Sequence, residues 1–199
     1  DRKLAEDYIG KIETANDFLL SLINNVLEMA RIESGKVVLD ESASNIHAFW
    51  NGLHALFEAQ IKNKGITCSC NIHIEHSDII VDETKVREIL LNILSNAVKY
   101  TAQGGSVSVS VTELPSEKLG YATYKTVVRD TGIGMSREYL PHIFEEFSRE
   151  HTSTESKVAG TGLGMPIVKK LVDLMGGSIS VESELGVGTE FTLILSHRI

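Results

Sequence analysis

The segment SVSVSV, residues 106–111, alternates strictly between serine and valine. Successive side chains of a β-strand point to opposite faces, so this pattern predicts a strand with one buried and one solvent-facing side. A loop with Pro115 and Gly120 follows, and residues 121–129 are predicted to return as a second strand. The pair predicts part of a layered domain in which helices cover mostly antiparallel strands.

The other elements follow from apolar periodicity and from capping residues. Asp82 is a cap for a helix over Glu83–Tyr100, and Ser44 is expected to cap another over 45–63. A further helix is predicted over 165–175, and short helical pieces around 137–147. The remaining predicted strands are 36–40, 66–74, 79–81, 178–182 and 188–195, of which the last two form a hairpin.

Residues 1–34 predict one long helix, which Gly35 ends. Its apolar residues recur at spacings of three and four, in a pattern close to a heptad seam. The seam predicts pairing with a partner helix, and the alternative is that the helix packs on its own domain. The seam residues are Leu4, Tyr8, Ile12, Ala15, Leu19, Leu22, Val26 and Met29.

Composition limits the partners and the location of the chain. The 199 residues suffice for one large domain or for a domain with an appendage. The net charge of −8 argues against nucleic acid or an acidic membrane as the main partner. No apolar run approaches the roughly 18 residues that span a bilayer, and a cytoplasmic location is expected. The chain begins with Asp1 rather than Met, so we expect it to be a piece of a longer protein.

The two cysteines of the chain, Cys68 and Cys70, lie two residues apart on a predicted strand. They therefore share a face and are too close for an ordinary disulfide. His73 would point to the opposite face, so we interpret both as free thiols rather than metal ligands, which fits a reducing compartment.

Two asparagines interrupt the apolar pattern of the helix over Glu83–Tyr100. Asn92 and Asn96 are four residues apart and so share one helical face. Both are exposed in one interpretation. In the other, their carboxamide oxygens face a polar cavity, where such oxygens suit Mg²⁺. Lys99, on the same side as Asn96, is placed to meet a phosphate, and Tyr100 offers an aromatic face.

A carboxylate and a tight loop follow the strand over 121–129. In the sequence DTGIG, Asp130 precedes two glycines, Gly132 and Gly134, which allow close approach of the backbone. A carboxylate in a cleft accepts a hydrogen bond from an exocyclic amine, which suits adenine. The alternative is a simple turn before a helix.

Two further glycine motifs lie downstream. Gly160, Gly162 and Gly164 precede a predicted helix, whose first amides attract phosphate. The spacing fits neither a dinucleotide-binding βαβ unit nor a P-loop. In the last hairpin, Gly188 and Thr189 belong to another Gly-x-Gly-Thr, for which a plain turn is the alternative. The joint occurrence of the four motifs favours a nucleotide site.

As a set, these motifs resemble those of bacterial two-component sensor histidine kinases. LLNILSNAVKYT resembles the family's N box, DTGIGM the G1 box, IFEEF the F box, GTGLGM the G2 box and GVGTEF the G3 box. LLSLINNVLEMARIESGK resembles the second helix of the dimerisation and phosphoacceptor hairpin. The resemblance implies an α+β Bergerat-type sandwich, a mixed, mostly antiparallel sheet covered by about three helices. It also implies a hairpin helix over 1–35 and an ATP-binding domain over 36–199.

The resemblance also implies a role for each motif residue. Asn96 would hold Mg²⁺ with Asn92 nearby, Lys99 would contact phosphate, and Asp130 would bind the adenine amine. Arg149 falls where the family has a basic residue near the γ-phosphate. Residues 145–159 would form a lid that is hinged at the G2 glycines. The other implied nucleotide-binding residues are Tyr100, Gly132, Ile133, Gly134, Phe147, Gly160, Thr161, Gly162, Leu163, Gly164, Gly188 and Thr189.

The chain departs from the family pattern in three ways. Met165 and Pro166 replace the commoner Leu-Ala, which the first turn of a helix tolerates. Glu146 stands where a basic residue or a proline is common. No histidine precedes an acidic residue and then a proline, the context of the phosphorylated histidine, so we expect that histidine before Asp1. The histidines are His47, His54, His73, His76, His142, His151 and His197.

The resemblance implies a protein-histidine kinase that uses ATP and Mg²⁺. It implies a response-regulator receiver domain as partner, a homodimer through the hairpin helices, and an inner-membrane sensor or hybrid kinase as the parent. This chain alone is expected to bind Mg-ATP without phosphorylating itself. The alternatives are a non-catalytic nucleotide-binding module and a gyrase-like ATPase. The latter needs a glutamate where this chain has Asn92.

Overall fold

A computed structural model describes residues 2–116, 118–150 and 160–199. Over these residues the chain forms a layer of α-helices on one β-sheet, with a long helix at the N-terminus. In chain order, the elements are α1 (Arg2–Glu33), β1 (Ser42–Asn45), α2 (Ile46–Lys64), β2 (Thr67–His73), β3 (Asp78–Val81), α3 (Glu83–Tyr100), β4 (Ser106–Leu114), β5 (Tyr121–Asp130), α4 (Gly164–Leu174), β6 (Ser178–Glu184) and β7 (Gly188–Arg198).

The sheet is mixed and mostly antiparallel, as expected. Its strands lie in the order β1-β3-β7-β5-β4-β2, and β6 pairs with β7. In the part of the chain that the structure describes, β2 and β4 run parallel and the other pairs run antiparallel. The serine–valine alternation has the predicted effect, since Val107, Val109 and Val111 are buried while the intervening serines are half-exposed.

Three helices cover the buried face of the sheet, as predicted. α3 lies between α2 and α4, and each helix presents an apolar stripe to the strands. Leu53 of α2, Ile89 of α3 and Leu171 of α4 are completely or almost completely inaccessible to solvent. The apolar spacing of each sequence segment therefore positions one face of each helix against the sheet and leaves polar residues outside.

The predicted strand over 36–40 is wrong, because β1 begins at Ser42. The four residues of β1 pair with the four residues of β3, and Asp40 instead donates its N–H to the carboxylate of Asp82 at 3.0 Å. Ser44 does not cap α2, because its hydroxyl instead donates to Oε2 of Glu83 at 2.9 Å. Asn45 is the cap, and its side chain accepts a hydrogen bond from the Ala48 N–H at 3.1 Å.

Between β5 and α4, the described residues contain one short 3-10 helix, Leu140–His142. This is less helix than we expected around 137–147. A helix that began near Arg137 could not run through Pro141, because proline lacks the N–H and its ring clashes with the preceding turn. Of the predicted lid, residues 151–159 lie outside the described part of the chain.

The apolar seam of α1 is partly packed on the domain and partly exposed to solvent. Met29 is buried, at 5% exposure, and Leu22 packs against the domain core. Ile12 and Leu19 are exposed at 67% and 54%, and Leu4 has no described side chain. One face of the last turns of α1 thus packs on the chain's own helical layer, whereas an uncovered apolar stripe extends from Tyr8 to Leu27. The domain boundary at residue 35 stays a prediction.

Cys68 and Cys70 both have free thiols, and they lie on β2 at the edge of the sheet. In the part of the chain that the structure describes, no helix is long and apolar enough to cross a bilayer.

Candidate functional site

A cavity of about 530 Å³ opens between α3, the loop after β5, the start of α4 and α1. Most of the residues that the motifs singled out meet on its walls, although they are far apart in sequence. These residues are Asn92, Asn96, Lys99, Tyr100, Asp130, Ile133, Gly134, Arg149, Gly160, Thr161, Gly162, Gly164 and Thr189. Four motifs of different elements therefore contribute to one space.

Four of the predicted residues, Gly132, Phe147, Leu163 and Gly188, do not line this cavity. Leu163 is buried in the core, and Phe147 is 62% exposed with a positive φ of 59°. A side chain on Gly188 would meet the carbonyl oxygen of Asp130 at 2.0 Å. This glycine therefore shapes the wall through its backbone. The proposed nucleotide contacts of all four remain predictions.

Asp130 lies at the floor of the cavity, at the end of β5 and opposite Thr189 of β7. It is 7% exposed, and its Oδ1 accepts the Gly132 N–H at 2.8 Å. Burial raises the pKa of Asp130, while hydrogen bonds from the N–H groups of Gly132 and Thr189 act in the opposite direction. The arrangement is a buried acceptor suited to a ligand that brings an N–H donor.

The backbone near Asp130 has no room for side chains. A Cβ on Gly132 would lie 2.7 Å from Oδ1 of Asp130 and 2.8 Å from the carbonyl oxygen of Tyr100. Gly134 has a φ of +65°, and its Cβ would lie 1.9 Å from the carbonyl oxygen of Glu184. Space therefore requires glycine at both positions, and at Gly134 the positive φ requires it as well.

Asn92 and Asn96 line the cavity from α3, and both are half-buried. The interpretation that both are exposed is therefore wrong. Asn92 donates its Nδ2 to the carbonyl oxygen of Glu88 at 3.0 Å, which fixes the direction of its carboxamide. Its Oδ1 faces Gly164, where a Cβ would come within 2.6 Å. Carboxamide oxygens held on one face of a helix are ligands of the kind that Mg²⁺ takes.

Two cationic side chains, Lys99 and Arg149, line the same cavity. Burial, and secondarily the charge of Arg149, lower the pKa of Lys99. Like charges held together repel each other, so the arrangement is stabilised when an anion enters. Lys99 and Arg149 supply positive charge for the phosphates of a ligand such as a triphosphate, while Asp17, Asp130 and Glu150 line other parts of the cavity, so the lining as a whole has no excess of positive charge.

Gly160, Thr161, Gly162 and Gly164 line the cavity at the start of α4. Leu163, the cap residue of α4, makes no side-chain cap hydrogen bond. Oγ1 of Thr161 instead accepts the Leu163 N–H at 3.3 Å. A Cβ on Gly160 would lie 3.2 Å from Nζ of Lys99. The lysine ammonium thus lies beside the segment that leads into α4, and both the ammonium and the first amides of the helix favour phosphate.

The motifs did not indicate the fourth wall, which is formed by α1. Asp17, Phe18, Ser21 and Asn25 of α1 line the cavity together with α3. A signal was present in the sequence, since Asp17, Ser21 and Asn25 are spaced by four residues and therefore form a polar stripe on one helical face. Met135, Tyr139, Ile143, Ser148 and Glu150 also line the cavity and were not predicted.

The chain matches the protein-family model described as histidine kinase-, DNA gyrase B- and HSP90-like ATPase over residues 81–199. Among curated proteins, it is 35% identical to the sensor protein GacS of Pseudomonas syringae pv. syringae, over 95% of this chain and 21% of that protein. It is 32% identical to the hybrid signal transduction histidine kinase B of Dictyostelium discoideum, over 96% of this chain and 10% of that protein. The chain thus spans about a fifth of the length of the first relative and a tenth of the length of the second.

Two solved structures share the fold of this chain. Full-length ShkA in complex with AMPPNP has a TM-score of 0.78 and 30% identity, over 97% of this chain and 39% of that one. Histidine kinase ThkA in complex with the response regulator protein TrrA has a TM-score of 0.72 over 96% of this chain and 51% of that one. At 22% identity, the second likeness shows the fold alone.

Proposed function

The match covers more than half of the chain, so the protein belongs to the family of histidine kinase-, DNA gyrase B- and HSP90-like ATPases. From this premise we propose that the chain is the Mg-ATP-binding catalytic unit of a sensor histidine kinase. In this proposal, it transfers the γ-phosphate of ATP to a histidine on a separate hairpin helix. A response-regulator aspartate then receives the phosphoryl group.

The observation that supports this proposal most is the combination of groups that line one cavity. A buried carboxylate, Asp130, and two cations, Lys99 and Arg149, line the same space. An adenine amine and a triphosphate are the donor and the polyanion that such a cavity would bind. The AMPPNP complex of ShkA, which is 30% identical, supports the same ligand class.

The residues present also fit a magnesium ion. Asn96 would hold it, with Asn92 nearby, because their half-buried carboxamides line the cavity beside the helix start at Gly164. The bound ion would neutralise phosphate charge during transfer. Lys99 and Arg149 would hold the phosphates, and Asp130 would orient the base, so this chain supplies positioning and electrostatics.

The nucleophile is proposed to come from elsewhere. None of the histidines of this chain has the acidic-then-proline context of the family's phosphoacceptor, and none of them lines the cavity within the described residues. We therefore propose that the chain binds Mg-ATP but does not phosphorylate itself.

The test is a titration with Mg-ATP, followed by incubation with γ-labelled ATP and a separate hairpin that bears the family's phosphoacceptor motif. We expect saturable ATP binding and label on the hairpin histidine, but none on this chain. A hairpin whose histidine is replaced by glutamine is the control. Tight ATP binding without any label on the hairpin would rule out the kinase proposal and favour a non-catalytic nucleotide-binding module.

A hydrolytic ATPase is disfavoured by Asn92, which stands four residues before Asn96. A carboxamide is a poor base, and Nδ2 of Asn92 already donates to the Glu88 carbonyl oxygen. We expect no ATP hydrolysis above background without an acceptor, as measured by phosphate release. Rapid hydrolysis would contradict this assignment.

We propose that the exposed stripe of α1 pairs with another hairpin helix, in a homodimer of the parent protein. Ile12 and Ile23 are more than half exposed, which is unusual for isoleucines on a single helix. The double variant Ile12→Ser, Ile23→Ser is expected to self-associate less than the unsubstituted chain in sedimentation. If the unsubstituted chain is itself strictly monomeric, the pairing is contradicted.

The proposed working compartment is the cytoplasm, and the free thiols fit a reducing compartment.

A further inference from the structure

We propose that Asn25 of α1 is a positioning residue for the nucleotide. It directs the hydroxyl of Thr161 toward the phosphates and thereby couples the docking of α1 to nucleotide binding. This inference rests on the proposed ATP-binding function and extends it to a helix outside residues 81–199, the range that the family model matches. The nucleotide site is then complete only when α1 is docked.

The end of α1 is firmly docked beside the cavity. Met29 is 5% exposed and belongs to the domain core. Glu28 pairs with Lys85 at the start of α3, and Glu33 pairs with Lys170 of α4. The polar stripe that contains Asn25 lies on the same half of the helix as these contacts. The packing of Met29 and the ion pairs with α3 and α4 therefore hold the polar stripe against the cavity.

A hydrogen bond connects α1 with the segment that contains Gly160, Gly162 and Gly164. Nδ2 of Asn25 donates to Oγ1 of Thr161 at 3.0 Å, across 136 residues of sequence. The Leu163 N–H donates to the same oxygen at 3.3 Å. Two donors occupy the acceptor positions of this hydroxyl, so its own proton is left to donate elsewhere.

The direction of that proton follows from the position of Thr161 on the cavity wall, beside Gly160 and Gly162. A phosphate oxygen is the acceptor that this part of the proposed site would supply. Hydrogen bonds received by a hydroxyl also polarise it and make it a stronger donor. Asn25 thus acts on the nucleotide through Thr161, without touching the nucleotide itself.

Coupling between sites is reciprocal, so the consequence extends in both directions. If docked α1 orients Thr161 for phosphate, then bound phosphate stabilises the docked position of α1 by the same free energy. Nucleotides with phosphates should show this coupling. Adenosine, which does not reach residues 160–164 in the proposed site, should not.

The decisive comparison uses two adjacent asparagines in the full chain. Asn25→Ala removes the donor to Thr161, while Asn24→Ala makes the same change on the solvent-exposed side of the helix. We expect Asn25→Ala to weaken the binding of a non-hydrolysable Mg-ATP analogue by about three- to tenfold, measured by calorimetry. Asn24→Ala should leave it unchanged, and neither variant should change adenosine binding.

Two further variants separate positioning from general loosening. Asn25→Asp offers only an acceptor, which turns the Thr161 hydroxyl toward α1, so its loss of affinity should exceed that of Asn25→Ala. In a Thr161→Val background, Asn25→Ala should have no further effect on the analogue. The thermal midpoints of the variants show whether they fold alike.

Equal affinities of the Asn24→Ala and Asn25→Ala chains would overturn the inference, as would additive losses in the double variant. Failure of the unsubstituted chain to bind the analogue would instead overturn the proposed function, and the inference with it.

Discussion

Asp130 is the residue at which burial and hydrogen bonding act most clearly against each other. Burial raises the pKa of its carboxyl group, and two backbone N–H donors partly compensate. A carboxylate kept at the floor of a cavity with a raised pKa reduces the stability of the ligand-free fold. Such a cost is typical of functional sites, because the ligand relieves it.

Replacement of Asp130 by asparagine tests this assignment. The substitution keeps the shape and an oxygen for the Gly132 N–H but removes the charge. We expect ATP affinity to fall by roughly ten- to a hundredfold, while the thermal midpoint stays equal or rises. Asp173→Asn, on the exposed side of α4, is the matched control. Unchanged ATP affinity in the Asp130→Asn chain would contradict the proposed contact between Asp130 and the adenine amine.

Gly134 shows how a close backbone contact leaves no room for a side chain. Gly134 and Gly186 both have positive φ, but only Gly134 has a backbone carbonyl within 1.9 Å of an added Cβ, while Gly186 has open space. Gly186→Ala should reduce the free energy of unfolding by about 1–2 kcal/mol, since only the backbone conformation is strained. Gly134→Ala should reduce it by more, in urea titrations of both variants. Equal losses would show that the loop moves freely.

At the scale of elements, α3 depends on its cap. Oδ1 of Asp82 accepts the Lys85 N–H at 3.0 Å, and Oδ2 accepts the Asp40 N–H at 3.0 Å. The Asp82 side chain is buried, so its removal leaves two backbone donors without this partner. Because α3 holds Asn92 and Asn96, the cap also contributes to the geometry of the site.

Asp82→Ala is expected to reduce the free energy of unfolding by about 2 kcal/mol or more, as measured by urea denaturation. Asn45→Ala should cost about 1 kcal/mol, because both hydrogen bonds of that side chain, from the Ala48 N–H and to Oδ1 of Asp78, are exposed to water. A smaller effect at Asp82 than at Asn45 would contradict the structural role of the two hydrogen bonds of the buried Asp82.

Local sequence defines some helices and strands of this chain but not others. The bounds of α3 agree with the prediction, because Asp82 and a continuous apolar stripe mark its start and face. β1 was misplaced, because a four-residue strand has too little periodicity and its position depends on the register with β3. A short strand is defined by its partner rather than by its own residues.

At the scale of the whole molecule, one buried histidine makes stability depend on pH. His197 of β7 is 8% exposed and stacks on Tyr124, with 6.0 Å between ring centroids. Burial lowers the pKa of His197 from 6.5 to about 4, and the charge of Glu41 opposes this weakly. The unfolded chain therefore binds the proton first as pH falls. Stability that is present above pH 6.5 is lost progressively toward pH 4.

His197→Phe removes this proton site while keeping a ring. Between pH 7 and pH 4.5, we expect the unsubstituted chain to lose up to about 3 kcal/mol more of its unfolding free energy than the variant. Urea midpoints at both pH values provide the measurement, with the exposed His142→Gln as control. Parallel pH profiles of the two chains would show that His197 is solvated in the folded state.

The sequence by itself determined the helices and strands with long periodic patterns, the glycine turns, and the identity of half of the cavity residues. These depend on side-chain alternation, caps and backbone conformation, which act between near neighbours along the chain. The tertiary structure decided that α1 turns Met29 into the core and leaves Ile12 outside, and that Phe147 points away from the cavity. It also decided that Asn25 meets Thr161, because contacts over such separations arise only when packed layers bring distant segments together.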